Sequence, residues 1–169
     1  MKGNNLIYVG SLIPRKGILS LIGAIVIWNT FNLPKKKLIV CGTGILHPLV
    51  SFIGRCSRNI SFKGYQSKRN VAQYLKQSDL LVLLSKREAF GLVYIEALMQ
   101  GVPVAMLRDE SFSKLVEQKK VGLVVRDRSY RSIKKLFLTD MPLIDQKKLI
   151  EISKVFSRGA ILQTYKDLL

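Results

Sequence analysis

The sequence predicts an α/β fold: a doubly wound parallel sheet of about six strands with helices on both faces, closed by C-terminal helices. Short apolar runs such as Leu6–Val9 recur along the chain, each ending at a glycine or a polar turn. Longer apolar segments of helical length separate them, the first running from Ile18 to about Asn29. The stretch from Asp79 to Met106 places strand, helix and strand within about thirty residues, which makes a parallel crossover. A chain of 169 residues is the size of one domain, 1–169, and large enough to bury a core.

In chain order, the first strand is Leu6–Val9, ending at Gly10. The loop Gly10-Ser11-Leu12-Ile13-Pro14-Arg15-Lys16-Gly17 leads into the helix from Ile18. It is not a Walker A loop, because Gly17 follows Lys16 where Ser or Thr is needed. After Pro34 and a lysine run comes the strand Leu38–Val40, then Cys41-Gly42-Thr43-Gly44. A dinucleotide fingerprint would need a third glycine there, and Ile45, Leu46 and His47 follow instead, with His47 beginning or flanking a helix. Ile60–Lys63 reads as the third strand, Gly64-Tyr65-Gln66-Ser67 as a turn, and Lys68 to Gln77 as a helix. Leu80–Leu84 is a strand buried on both faces, and the apolar helix Leu92–Met99 carries a single charge, Glu96. The strand Val102–Met106 follows Gly101. Ser111–Lys120 and Tyr130–Leu138 read as helices around the strand Gly122–Val125, and Asp145–Phe156 and Ser157–Leu169 as two closing helices.

Glu88 and Glu96 stand out. A carboxylate in so apolar a helix costs free energy unless something pairs with it. In open parallel sheets the carboxyl ends of the strands face the ligand crevice, and the turn entering a helix points its free amides there. Glu88, the Ala89-Phe90-Gly91 backbone and the helix N-terminus at Leu92 would then share a site suited to phosphate and hydroxyl-rich groups.

These residues, in the pattern S-x-x-E-A-F-G-L-V-x-x-E-A-L-x-x-G-V-P-V, resemble the C-terminal, donor-binding domain of retaining nucleotide-sugar glycosyltransferases with the GT-B fold, the group 1 type. The resemblance runs from about Tyr8 to Tyr165 and implies a Rossmann-like sheet. It implies a nucleotide diphosphate sugar as donor substrate and no cofactor; no metal is expected, because the sequence has no Asp-x-Asp pair and no His-rich cluster to hold a divalent ion. It also implies donor-binding roles for Gly10, Ser11, Arg15, Lys16, Gly42, Gly44, Gly64, Tyr65, Glu88, Ala89, Phe90, Gly91, Leu92 and Glu96. Lys16 and the amides from Phe90 to Leu92 would take the diphosphate, Glu88 the sugar hydroxyls and Glu96 the ribose hydroxyls, with Lys16 and Glu88 carrying the catalytic role. Tyr65 is open between contact with the base and plain packing. Ser11 departs from the pattern, standing where the family has an Arg; substitution by Arg15 from across the loop is one way to compensate.

The charge balance points to anions. Twenty-eight Lys and Arg against eleven Asp and Glu give a formal +17. Nucleotide phosphates, an anionic membrane surface and nucleic acid are the candidates; most of the short basic groups, which include Lys35-Lys36-Lys37 and Arg126 with Arg128 and Arg131, are expected on solvated faces, and no nucleic-acid-binding signature accompanies them. Cys41 and Cys56 are too far apart for a metal knuckle, and Ile18–Trp28 is too short to span a bilayer. A cytoplasmic location, peripheral at the inner face of the membrane, is the expectation.

Glycoside hydrolysis by the two carboxylates is the weaker chemistry, since it leaves Lys16 and the glycine turns without a role. Two further readings are a non-catalytic module of the same fold, which Ser11 hints at, and a basic nucleic-acid-binding domain. In complete GT-B enzymes an N-terminal domain holds the acceptor. This chain is expected to be either a fragment of a longer enzyme or a natural half working with a partner subunit, the fragment being preferred because Met1-Lys2-Gly3 begins so close to a domain boundary. In either case it would be inactive alone and would serve bacterial surface polysaccharide or glycolipid synthesis.

Overall fold

The computed structural model describes residues 3–86, 92–108, 112–145 and 147–148. Six strands, β1 (Asn5–Val9), β2 (Lys37–Cys41), β3 (Ile60–Gly64), β4 (Leu80–Leu83), β5 (Val104–Leu107) and β6 (Gly122–Val125), form one sheet in the order β3-β2-β1-β4-β5-β6. All five pairings are parallel. The helices are α1 (Ile18–Phe31), α2 (His47–Cys56), α3 (Lys68–Lys76), α4 (Leu92–Met99), α5 (Phe112–Lys119) and α6 (Tyr130–Leu138).

A parallel sheet needs helical crossovers, and right-handed ones carry α1 and α2 over one face and α3, α4 and α5 over the other. α6 returns to the first face and packs on α1, where Trp28 and Phe137 meet edge to face at 5.5 Å. Across the sheet, Tyr94 of α4 stacks on Phe112 of α5 at 5.3 Å. β4 and β5 are buried at every residue, as expected of central strands covered on both sides. Asp79, just before β4, accepts hydrogen bonds from the Asn4 and Asn5 amides at 2.9 and 2.8 Å and so fixes the start of β1 against β4.

The elements agree with the sequence reading to within two or three residues, with two additions. Pro14–Lys16 closes a short 3-10 turn before α1, and α1 itself runs two residues further, to Phe31. The two closing helices expected from Asp145 onward lie almost wholly outside the described residues.

The lysine run corrects one expectation. Lys36 is not on a solvated face but is 1% exposed. Its Nζ donates to the Gly3 carbonyl at 2.7 Å and to Asn4 Oδ1 at 3.1 Å, and sits 5.7 Å from both the Trp28 and Phe137 ring centres. Carbonyl oxygens and ring faces replace the water that a buried ammonium would otherwise lose.

Trp28→Ala removes the ring that joins α1, α6 and Lys36. It is expected to cost about 3–5 kcal/mol in a urea unfolding titration; a loss below about 1 kcal/mol would show that this contact does not hold the layer together.

Candidate functional site

Because every strand is parallel, all six carboxyl ends lie along one edge of the sheet. The chain leaves β1 toward β2 on one side, while β4 flanks β1 on the other, so the strand order reverses between β1 and β4. The candidate residues cluster around this point in two groups.

The first group is a seam of backbone. The Gly10 amide donates to the Cys41 carbonyl at 3.0 Å, the Gly42 amide to the Gly64 carbonyl at 2.7 Å, and the Leu12 amide to the Thr43 carbonyl at 2.8 Å. Gly42 has a φ of 147°, and a Cβ there would stand 1.9 Å from the Gly10 carbonyl oxygen, so only glycine lets the two turns touch. Beyond the seam opens a cavity of about 280 Å³ whose walls include Gly10, Ser11, Gly42, Thr43, Tyr65 and Gln66. The structure thus brings Gly10, Ser11, Gly42 and Tyr65 together, with Gly64 and Gly44 in the adjoining backbone. Tyr65 is 80% exposed, so its ring takes no part in the core of this domain.

The second group is the loop from Ser11 to Gly17. Tyr8, buried in β1, donates its hydroxyl to the Ser11 carbonyl at 2.7 Å. At the other end, Arg128 reaches across from the turn after β6. Its Nε donates to the Leu84 carbonyl at 2.7 Å, one terminal nitrogen donates to the Pro14 carbonyl at 3.2 Å, and the other donates to the Arg15 carbonyl. The Arg15 carbonyl also accepts from the Lys86 amide at 3.1 Å. Gly17, at φ 75°, lies where a Cβ would be 2.5 Å from the Leu84 carbonyl oxygen. The loop carrying Arg15 and Lys16 is therefore clamped to the end of β4, outside the glycine cavity.

α4 is anchored to the same strand end, the buried Tyr94 hydroxyl donating to the Leu83 carbonyl at 3.1 Å. Leu92 is exposed at its first position and Glu96 half-buried in its second turn. Neither lines the glycine cavity. Glu88, Ala89, Phe90 and Gly91 lie outside the described residues.

Two residues outside the assigned donor-binding set also belong to this region. Arg128 sits in a basic turn that reads as a solvated cluster. Ser85, directly after β4, is 9% exposed, and its Oγ is buried without a hydrogen-bond partner among the described residues. A larger hollow of about 570 Å³ lies at the opposite sheet edge, beside β6 and α6. There Arg108 pairs with Glu117 at 2.9 Å. Asp127 accepts from the Ser129 hydroxyl and amide at 2.5 and 2.8 Å, which holds its carboxyl down at about 2 and positions Ser129 as the cap of α6.

Residues 1–151 match the family described as Glycosyl transferases group 1, and the chain belongs to that family. It is 28% identical over 120 residues to the alpha-monoglucosyldiacylglycerol synthase of Acholeplasma laidlawii, covering 69% of this chain and 30% of that protein. It is 26% identical over 121 residues to an uncharacterized 41.2 kDa protein in the cps region of Klebsiella pneumoniae, covering 72% and 32%. The chain thus spans about a third of the length of these relatives. Among solved structures, Anabaena HepE in complex with UDP and glucose superposes with a TM-score of 0.73 at 20% identity, covering 99% of this chain and 47% of that one. TarM gives 0.75 at 22% identity, covering 99% and 35%. These likenesses establish the Rossmann-like, GT-B-type fold of the domain.

Two outcomes test the site's environment. Burial pushes the Cys41 thiol up to about 11, with Lys63 pulling weakly the other way, so the thiol stays protonated and covered at pH 8 while Cys56 is exposed. Iodoacetamide at pH 8 is expected to add one label to the folded chain, at Cys56, and two after denaturation; rapid labelling of Cys41 in the folded chain would contradict the seam. Ser85→Ala deletes a hydroxyl that has no partner among the described residues, and is expected to leave the melting temperature unchanged or raise it, by up to about 1 kcal/mol of stability. A clear destabilisation would show that the hydroxyl is bonded.

Proposed function

We propose that this chain is the donor-substrate domain of a glycosyltransferase that moves a sugar from a nucleotide diphosphate sugar to an acceptor held by a second domain or partner subunit, and that it is inactive by itself. The observation that carries the reading is the glycine-walled cavity at the strand-order reversal, with an exposed tyrosine at its rim and a clamped lysine-bearing loop alongside. Backbone walls suit a flat base and ribose, and Tyr65 offers a ring for stacking. Transfer develops negative charge on the departing diphosphate, and Lys16 is the cation the clamped loop supplies for it. Glu88 and Glu96 are assigned to the sugar and ribose hydroxyls as ionised acceptors. No step in this scheme calls on a metal.

The bound UDP of HepE supports a nucleotide-diphosphate donor, and the glycolipid-synthase and cps-region relatives support a place in surface polysaccharide or glycolipid assembly. A peripheral position at the cytoplasmic membrane fits such a role, and the +17 charge, which attracts anionic lipid, supports it. No helix among the described residues is long and apolar enough to cross a membrane.

A uridine or guanosine diphosphate sugar is expected to raise the melting temperature of the chain. Lys16→Ala, by removing a charge-assisted hydrogen bond of about 1.5–3 kcal/mol, is expected to weaken binding roughly ten- to hundredfold. Glu96→Ala is expected to shrink the shift as well. No shift with any nucleotide sugar at millimolar concentration, on folded protein, would refute the donor-site reading; tight binding indifferent to Lys16 would refute its assigned role.

A further inference from the structure

α1 is unlike an ordinary surface helix. Its inward face, including Leu21, Ile22, Ile25 and Trp28, is buried in the core. The opposite face should be polar, as helices of half-buried layers usually are. Here it is Leu19, Gly23, Val26, Ile27, Thr30 and Phe31, which at a hundred degrees per residue form one continuous stripe with no charge anywhere in the helix. Leu19, Val26 and Ile27 are 38–49% exposed, and Phe31 is 79% exposed. Nothing lies within 4 Å of where a Cβ on Gly23 would sit. The stripe continues past the helix end into Leu33, 78% exposed, and then meets exposed Lys35 and Lys37.

The charge carried by the helices of this layer has one sign. Residues 1–78 contain twelve Lys and Arg and no Asp or Glu. The two helices that share the layer repeat the pattern: α2 carries Arg55 with exposed Leu49 and Phe52, and α6 carries Arg131, Lys134 and Lys135 with exposed Leu138. No carboxylate occurs in α1, α2 or α6. Apolar side chains standing between cations, with no acid among them, match the chemistry of an anionic lipid interface, where ring and aliphatic groups enter the headgroup region and lysines meet phosphates. A second copy of the chain would instead bring two +17 surfaces face to face.

We propose that the α2-α1-α6 layer is the membrane-docking face of this protein and that its partner is a bilayer containing anionic phospholipid, with the α1 stripe inserted. This deepens the peripheral-membrane part of the functional reading and is independent of donor binding, so either can fail alone.

The test is sedimentation of the full chain with vesicles of phosphatidylcholine, with and without phosphatidylglycerol, at low and high salt. Binding is expected only with phosphatidylglycerol and is expected to weaken with salt. Phe31→Asp or Ile27→Asp, both at exposed positions, is expected to lower partitioning about tenfold or more. Lys35→Glu is expected to lower it roughly fivefold, and Lys114→Glu, the same charge change on α5 in the opposite layer, to have less effect. Circular dichroism of each variant identifies any that fails to fold, and the Lys35→Glu and Lys114→Glu pair keeps the comparison open if an aspartate variant does. Absence of binding to anionic vesicles would overturn the proposal, as would equal losses in the Lys35 and Lys114 variants. A dimer in light scattering that Ile27→Asp dissociates, with vesicle binding unaffected, would assign the stripe to a second copy and overturn it too.

Discussion

The candidate site depends on how the Arg128 guanidinium is used. Three of its nitrogens donate to three carbonyls, one on the end of β4 and two on the loop after β1, the elements on either side of the strand-order reversal. The planar fork reaches divergent carbonyls from three separate nitrogens, whereas a lysine has a single nitrogen from which to do so. Partial burial lowers the pKa of the group from its ordinary value, with Tyr8 acting against that, and the group remains charged at any physiological pH. Gly17 completes the arrangement by leaving room for the Leu84 carbonyl and the guanidinium. The loop bearing Lys16 is therefore fixed to the end of β4 through its backbone carbonyls.

The strands, helices and glycine turns were legible because each is written locally, in apolar runs and the residues that stop them. Strand order was not, since no local pattern states that β4 returns to pair with β1. The glycine positions Gly10, Gly42 and Gly64 could be found from their place at strand ends, and the structure joins them into one seam. Arg128 could not be found: it lies in a basic turn, and its importance arises from carbonyls far away in sequence. Lys36 misled for a related reason. Three consecutive lysines read as solvated, yet the middle one enters a pocket built from the start of β1, α1 and α6, elements no short window contains. Ser85 opens the motif, but nothing in the motif states its burial, which comes from the packing around β4.

The two layers of helices are used differently. α3, α4 and α5 cover one face of the sheet, with α4 anchored to the end of β4 through Tyr94. On the other face, α1 is apolar inward and outward alike, so the pattern that normally orients a helix is absent. Its orientation is set instead by Trp28, which meets Phe137 and Lys36 and donates its indole N–H to the Pro34 carbonyl at 3.1 Å. Specific polar and aromatic contacts here do what amphipathicity does elsewhere.

That pairing of α1 with α6 bears on how the chain is made. A ribosome delivers Trp28 long before Phe137, and Gly17 long before Arg128, so the nascent chain exposes a helix greasy on every side with neither its partner nor its clamp yet synthesised. Early docking of α1 on β1 and β2 hides one side only. The growing polypeptide therefore passes through an interval in which a chaperone, or a nearby lipid surface, has more of α1 to hold than the finished protein offers.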